Sequence, residues 1–242
     1  MGDEIFPTHT VINHIPKIFR SIINDLKEIH PPAIREVILN DIYQIQEYDQ
    51  EDFNLIIDLG ANLGTFTIAC KYLFPQAKIH AIEPIPNHVK LLKKKHRNNL
   101  NITIHQYALG EEGKPHPMTE KGSESAYDPN GKTPTTPISF PHLINIIQKQ
   151  EGNLNNHKIL FKSDIEGSET HFMNEENANI IKNFKHISIE THWQGQKETS
   201  HIRKTNNWKT MNDWIIKTLP QHQINYRGSS KGGIATYNCK KQ

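Results

Sequence analysis

The sequence is poor in cysteine and has no long apolar run. Of its 242 residues only two are cysteines, Cys70 and Cys239, which are too few for a disulfide framework and are typical of a reducing compartment. No apolar run approaches the roughly 20 residues of a membrane-spanning helix. The first residues also lack the basic and then apolar pattern of a secretory signal. These absences predict a cytoplasmic protein without a membrane span.

Several common site motifs are also absent. The chain has 15 histidines but neither His-Glu-x-x-His nor Cys-x-x-Cys, so the ready-made zinc patterns are missing. It contains no G-x-x-x-x-G-K-[ST] for ATP and no G-x-G-x-x-G for a dinucleotide. The formal net charge is only +2. We therefore interpret the basic run at 90–97 as the solvated face of a helix, and nucleic acid is not an expected partner.

Short apolar runs alternate with segments of helical periodicity from residue 53 onward. The runs predict strands at 53–60, 78–84, 101–109, 157–164 and 185–191, and the segments between them predict helices at 65–74, 87–100, 141–150 and 168–184. This alternation predicts an α/β fold with a doubly wound, Rossmann-like and mostly parallel sheet, which binds ligands at the carboxyl ends of its strands. A helix at 207–219 and runs at 222–228 and 233–239 predict a C-terminal antiparallel hairpin.

Two regions depart from this alternation. Apolar residues at spacings of three and four between 11 and 23, and a second short helix after Pro31-Pro32, predict a helical cap over residues 1–50. Residues 51–242 are then the main domain. Within it, residues 111–140 carry five prolines and three glycines, which predict a long irregular loop over the ligand face.

A glycine turn follows the first predicted strand. Asp58, Gly60, Asn62 and Gly64 alternate with other residues, and asparagine is the non-glycine residue that best tolerates a left-handed backbone. The second strand ends at Glu83, 19 residues past Gly64, where an acid is placed to accept hydrogen bonds from both ribose hydroxyls of an adenosine. The alternative for Glu83 is a helix-capping acid. Because the ATP and dinucleotide patterns are missing, the turn favours S-adenosylmethionine.

Four segments in this order and spacing resemble the FkbM family of S-adenosylmethionine-dependent methyltransferases. They are DLGANLGTFTI (58–68), AIEP (81–84), ALG (108–110) and FKSDIEGSE (161–169), within a match that covers about residues 53–192. The resemblance implies the class I methyltransferase fold and a cofactor site that includes Pro84, Ala108 and Asp164 as well as the turn and Glu83. The chain departs from the family at SFPHL (139–143), where members often have Leu-Asp.

A cluster of chemically active residues follows the predicted fourth and fifth strands. Asp164 ends the fourth strand, where it could accept the proton of an acceptor hydroxyl or orient that hydroxyl. Together with Glu166 or Glu190 it could instead hold a divalent metal such as Mg²⁺. His192 is a further candidate base. Lys162 shares a face with Asp164 and resembles the lysine of the Lys-Asp pair in ribose 2′-O-methyltransferases.

Two neighbours of this cluster have structural interpretations. Glu169 is placed as a favourable charge at a helix N-terminus. Trp193 could stack on an acceptor ring or simply pack in the core.

The leading hypothesis is an S-adenosylmethionine-dependent O-methyltransferase. The family resemblance implies a hydroxyl acceptor on a sugar, a glycan or a secondary metabolite, so the expected partner is a small molecule or glycan. Methylation of RNA ribose or of a nitrogen is an alternative, and so is a cofactor-binding module without catalysis. The sequence carries no signal for oligomeric state.

Overall fold

The structure is a computed structural model that describes residues 25–26, 31–120, 125–193, 207–228 and 233–242. The helix predicted at 11–23 lies outside the described residues. The strands are β1 (Leu55–Leu59), β2 (Lys78–Ile82), β3 (Ile102–His105), β4 (Ala108–Leu109), β5 (Met118–Thr119), β6 (Ala126–Tyr127), β7 (Pro137–Ile138), β8 (Ile159–Ser163), β9 (His186–His192), β10 (His222–Gly228) and β11 (Ile234–Lys241). The α-helices are α1 (Pro31–Ile34), α2 (Thr65–Leu73), α3 (Pro86–His96), α4 (Phe140–Glu151), α5 (Glu175–Ile181) and α6 (Trp208–Thr218).

Seven strands form the central sheet, in the order β10-β11-β9-β8-β1-β2-β3. Strands β1, β2, β3, β8 and β9 are parallel, whereas β11 pairs antiparallel with both β9 and β10. The first strand, β1, therefore lies in the middle of the sheet. The chain adds β2 and β3 toward one edge, and then β8, β9 and the β10–β11 pair toward the other edge. This is the strand order of the class I methyltransferase fold, so the predicted fold class and the C-terminal antiparallel hairpin are confirmed.

Both faces of the sheet are covered, and β1 has apolar side chains in the core on each face. Its residues are buried throughout, with Leu55, Ile57 and Leu59 facing one core and Ile56 facing the other. The first core contains side chains of α4, α5 and α6. The second contains side chains of α2 and of residues 37–53, including Tyr43, so the segment before β1 packs on the sheet. Such double burial is expected of a parallel sheet.

Two predicted elements are divided in the structure. The strand predicted at 101–109 ends at His105, and the chain then forms β4, which pairs with β7. The helix predicted at 168–184 is a 3₁₀ turn, Ser168–His171, followed by α5. The division has a local cause, since the side chain of Asn174 accepts a hydrogen bond from Asn177 N and starts a new helix.

The segment 111–140 is less irregular than its composition predicts. In its described part, β5 and β6 pair antiparallel and β7 pairs with β4. Before β1, α1 continues into a π-helical turn, Arg35–Leu39. In the described part of the chain, no helix combines the length and the apolar character needed to cross a membrane.

Candidate active site

The turn after β1 is built from three residues with left-handed backbones. Gly60, Asn62 and Gly64 have φ values of 82°, 52° and 92°. The left-handed conformation predicted for Asn62 is therefore present, at a position where most side chains are strained. Gly64 caps α2, whose first backbone N–H groups point toward the turn.

Gly60 has no room for a side chain. A Cβ at this position would lie 1.8 Å from the carbonyl oxygen of Asp164. The backbone of Asp164 also donates a hydrogen bond to Leu59 O at 3.0 Å. Glycine therefore lets the turn after β1 lie against the carboxyl end of β8, and this contact brings the glycine turn and Asp164 together.

A buried ion pair supports the turn from below. Asp58 accepts a hydrogen bond from Thr67 Oγ1 at 2.6 Å, and its Oδ1 lies 3.2 Å from Lys162 Nζ. Lys162 also donates to the carbonyl oxygen of Gly60 at 2.6 Å. The pairing follows from strand register, since Asp58 and Lys162 are directly opposed on β1 and β8. Lys162 thus lies under the turn. Its side chain does not line the cleft described next, so no contact there supports the catalytic role predicted for it.

A cleft of about 560 Å³ opens at the carboxyl ends of the strands. Its described lining includes six of the predicted cofactor residues, namely Gly60, Asn62, Glu83, Pro84, Ala108 and Asp164. Asp58 and Gly64 are outside that lining and instead shape the turn. Segment 111–140 adds His116, Met118 and Ser125 to the lining, so part of it does lie at the ligand face.

Glu83 joins two loops beside the cleft, namely the turn after β1 and the loop before α3. Its Oε2 accepts from Asn62 N at 2.8 Å, and its Oε1 accepts from Ile85 N at 2.9 Å. His88 Nδ1 lies 3.3 Å from Oε1. Ile85 is the N-cap residue of α3, so Glu83 fixes the loop that precedes this helix, and the alternative role as a capping acid stays a prediction. Its carboxylate also lines the cleft, and contact with a ribose stays a prediction.

Four carboxylates surround His192, which is 1% exposed. Its Nδ1 lies 2.9 Å from Glu169 Oε1. Its Nε2 lies 3.5 Å from Glu190 Oε1, 3.6 Å from Glu166 Oε2 and 3.9 Å from Asp164 Oδ1. The structure therefore brings together Asp164, Glu166, Glu190 and His192, as predicted from the ends of two strands that are neighbours in the sheet.

This environment determines the charge of His192. Burial lowers the pKa of the imidazole, but the carboxylates of Glu169 and Glu190 outweigh burial and raise that pKa well above its ordinary value of 6.5. Burial and the nearby charge of Asp164 raise the pKa of Glu190. Burial, Glu190 and Asp164 likewise raise the pKa of Glu36. These carboxylates therefore favour the protonated form of His192.

Two residues of the cluster were not found from the sequence. Glu169 was interpreted only as a helix-terminal charge, yet it is fully buried and contacts His192. Tyr43 donates a hydrogen bond to Asp164 Oδ2 at 3.3 Å from 121 residues away. The pattern that carries Glu169, Lys-x-Asp-x-Glu-Gly-x-Glu, was a usable signal for that residue. Trp193 is 3% exposed and belongs to the core, which supports packing over stacking.

Among the described residues, Asp164, Glu190 and His192 form a group that could hold a metal ion. One ligand atom from each of these residues lies within 4.8 Å of the others. The set predicted from the sequence was Asp164, Glu166 and Glu190, so the geometry places His192 in the position assigned to Glu166.

Comparison with known proteins identifies the family. A model of the methyltransferase FkbM domain matches residues 58–215, well over half of the chain. The chain belongs to the FkbM methyltransferase family. The match begins at Asp58 and includes the turn, Glu83, Asp164 and His192. This FkbM-family chain therefore carries a methyltransferase domain, as the sequence motifs predicted.

Individual relatives are more distant. The FkbM-family chain is 30% identical over 80 residues to Methyltransferase 1 of Beauveria bassiana (strain ARSEF 2860), and the match spans 32% of this chain and 31% of that protein. Among solved structures, precorrin-6y C5,15-methyltransferase from Geobacter metallireducens GS-15 is similar with a TM-score of 0.46 and 10% identity, over 85% of this chain and 88% of that one. Aeropyrum pernix fibrillarin with bound S-adenosyl-L-methionine has a TM-score of 0.45 and 13% identity, over 86% and 75% of the two chains.

Proposed function

We propose that the protein transfers the methyl group of S-adenosylmethionine to a hydroxyl of a sugar, a glycan or a secondary metabolite. The observation that carries the proposal is the contact of the glycine turn with the end of β8. Because Gly60 lies against Asp164, one cleft contains both the turn predicted to bind the cofactor and the carboxylate predicted to meet the acceptor.

The residues of the cleft fit this cofactor. Glu83 supplies a buried carboxylate for the ribose hydroxyls, and Asn62 and Pro84 border the same space. Ala108, in β4, also lines the cleft. When bound, S-adenosylmethionine supplies an electrophilic methyl group on a positively charged sulfur. Asp164 and Glu166 would place negative charge in the cleft that holds this positively charged group. Methyl transfer to an oxygen depends mainly on positioning.

We propose Asp164 as the group that accepts the acceptor's proton. It lines the cleft, and its Oδ1 has no hydrogen-bond partner in the described part of the chain. Its Oδ2 is held by Tyr43. His192 is disfavoured as the base because Glu169 and Glu190 raise its pKa and so favour its protonated form. Lys162 donates its hydrogen bond to Gly60 O under the turn. The position of Asp164 in the cleft, the preference of His192 for its protonated form and the positive charge of Lys162 therefore favour Asp164 as the general base.

A divalent metal is the second candidate for activating the hydroxyl. The proximity of ligand atoms from Asp164, Glu190 and His192 favours it. An ion at this position would replace the proton on His192 Nε2, so metal and imidazolium exclude one another there. The mixed nitrogen and oxygen set suits a transition metal as well as Mg²⁺.

The charge of the cleft bears on the acceptor. Asp164 and Glu166 line the cleft, Glu190 lies beside them at His192, and Glu36 contributes a further carboxyl group nearby. A phosphate group would be repelled by this cluster. The acidic lining therefore supports an uncharged hydroxyl acceptor over the ribose of an RNA strand.

Calorimetric titration with S-adenosylhomocysteine tests the proposal first. We expect micromolar binding to the wild type, and the affinity of Asp164→Asn measures how far Asp164 also contributes to the cofactor site. A screen with radiolabelled S-adenosylmethionine against glycans, simple polyols, amines and RNA then reports the acceptor class. Transfer to a hydroxyl should fall by roughly 10²–10⁴-fold in Asp164→Asn. Absence of S-adenosylhomocysteine binding by the folded wild type would contradict the proposal, and labelling of RNA or amines alone would favour the alternatives.

Transfer that survives in Asp164→Asn would reject Asp164 as the base. Binding without transfer to any acceptor would favour the cofactor-binding module. Addition of EDTA to an active sample separates the two modes of activation, since only the metal-dependent mode loses turnover and recovers it with Mg²⁺, Mn²⁺ or Zn²⁺.

A further inference from the structure

Glu169 connects the turn after β8 to the end of β9. Its side chain is fully buried, and Oε1 accepts from the backbone N–H groups of Ile165 and Gly167, each at 3.3 Å. The same oxygen lies 2.9 Å from His192 Nδ1. A buried carboxylate is tolerated only when such donors compensate for lost hydration, so these contacts hold the turn and the ring in one arrangement.

The turn that Glu169 holds has an unusual backbone. Glu166 has a φ of 55° and Gly167 a φ of 103°. A left-handed backbone is uncommon for a residue other than glycine, and it persists when the surroundings enforce it. Here it folds the chain back so that the N–H groups of Ile165 and Gly167 converge on Glu169. The directions of the Asp164 and Glu166 side chains depend on this turn.

The contact with Glu169 also orients His192. A proton on Nδ1 that is donated to Glu169 fixes the rotation of the ring. The opposite nitrogen, Nε2, then faces Glu190, Glu166 and Asp164 at 3.5, 3.6 and 3.9 Å. A rotation of the ring by half a turn would replace these nitrogen contacts with carbon atoms. Glu169 thus acts on the cleft without lining it in the described structure.

We propose that Glu169 is a positioning residue, which fixes the His192 ring so that Nε2 faces the carboxylates of Asp164, Glu166 and Glu190 beside the acceptor hydroxyl. The inference rests on the proposed function, because that function gives Asp164 its role. The groups that face His192 are Glu169, Glu166 and Asp164 from the segment after β8, Glu190 from β9, and the nearby Lys162 from β8, which is 4.0 Å from Asp164 Oδ2.

Nuclear magnetic resonance of protein labelled with ¹⁵N-histidine tests the contact. A His192→Gln variant identifies the His192 signals. We expect a protected Nδ1–H in the wild type, and a clear upfield shift of that proton in Glu169→Gln, where a neutral amide replaces the charged acceptor. The matched control is Glu166→Gln, which changes a carboxylate of the same turn but leaves the Nδ1 contact intact and should leave that proton unmoved. An unchanged Nδ1–H in folded Glu169→Gln would overturn the proposal.

A double-mutant cycle tests the functional coupling with the acceptor found by the screen described above. We expect Glu169→Gln to lower kcat at least tenfold with little change in KM for S-adenosylmethionine. The double variant Glu169→Gln, His192→Gln should lose no more than His192→Gln alone, since residues that act as a unit are not additive. Additive losses would reject action through His192. Failure of wild-type S-adenosylhomocysteine binding would instead reject the proposed function, and the spectra would still report on the Glu169 contact.

Discussion

Tyr43 Oη donates a hydrogen bond to Asp164 Oδ2 across 3.3 Å and joins the segment before the sheet to the carboxyl end of β8. The Tyr43 side chain is buried, and its ring meets that of Phe66 on α2 edge to face, with centroids 5.3 Å apart. Burial and the charge of Asp164 raise the pKa of the Tyr43 hydroxyl well above 10, so it remains a donor. Asp164 therefore has one oxygen fixed and the other directed to its neighbours in the cluster.

The first prediction concerns this hydroxyl. Tyr43→Phe should lower methyl transfer about tenfold, because a hydrogen bond to a charged group contributes roughly 1.5–3 kcal/mol. The affinity for S-adenosylhomocysteine should be unchanged. Turnover and calorimetry on the same samples measure both effects.

A matched control uses a second buried tyrosine. Tyr48 lies in the same segment, and its hydroxyl contacts His186 Nδ1 at 2.7 Å instead of the cleft. Tyr48→Phe should lower thermal stability and leave transfer intact. Equal turnover in wild type and Tyr43→Phe would show that the Tyr43 contact does not orient Asp164.

The second prediction concerns the ion pair of Asp58 and Lys162. Both side chains are almost fully buried, with exposures of 0% and 4%. Lys162→Met should reduce the free energy of unfolding by about 3–5 kcal/mol, because it leaves a buried carboxylate without its counter-charge. Adding Asp58→Asn to Lys162→Met should recover part of that loss. Urea denaturation monitored by circular dichroism measures both changes.

The exposed pair of Lys185 and Asp52 is the control for this experiment. Their side chains are 32% and 29% exposed at a separation of 2.5 Å, and surface pairs contribute at most about 1 kcal/mol. Lys185→Met should therefore change stability little. A loss in Lys162→Met no larger than in Lys185→Met would mean that the buried pair does not support the glycine turn.

The sheet was predictable because its signals are local. Each strand is a short apolar run, and the hairpin strand at 222–228 was predicted with the bounds that the structure gives. The glycine turn was equally accessible, since Asn62 and its flanking glycines have φ preferences that depend on each residue alone. The pairing of β4 with β7 joins two residues to two others almost 30 positions away. So short a ladder leaves no periodic pattern in the sequence.

The centre of the cluster was harder to predict because its contacts join residues that are far apart in the sequence. Glu169 and His192 are 23 residues apart, and Tyr43 and Asp164 are 121 apart. Their contacts follow from tertiary packing of the segment before β1 and of β9. A charge at position 169 near the start of a helix has an ordinary local explanation, and only the packed structure shows that this charge is buried against His192.

The third prediction concerns the acid at the end of β2. Glu83→Gln should weaken S-adenosylhomocysteine binding at least tenfold, because a neutral amide accepts less strongly from the ribose hydroxyls and has only one acceptor oxygen for Asn62 N and Ile85 N. Calorimetry measures the loss. Glu120→Gln is the control, since Glu120 is exposed and contacts Asn87 on α3. Wild-type affinity in Glu83→Gln would reject the ribose contact and leave Glu83 with its backbone contacts to Asn62 and Ile85 alone.

The last prediction is a loss of stability in weak acid that originates at His186. Burial lowers the pKa of this imidazole from 6.5 to about 4, and the charges of Lys240 and His222 act in the same direction. Its nitrogens contact Tyr48 Oη, Tyr43 O and Ser188 Oγ. These contacts hold the neutral ring of His186, the first residue of β9, against the segment before β1. The unfolded chain binds a proton at this histidine near pH 6.5, whereas the folded protein resists protonation until about pH 4.

The stabilising contribution of neutral His186 is therefore complete above pH 6.5 and is lost as the pH falls toward 4. For this one group the free energy of unfolding should decrease by about 2 kcal/mol between pH 7 and pH 5. Urea denaturation at the two pH values measures it. His186→Gln should be less stable at pH 7 but should show a smaller difference between pH 7 and pH 5. An equal difference in wild type and variant would assign the acid sensitivity to other buried histidines, of which His96, His105 and His116 also have pKa values lowered to about 4 by burial.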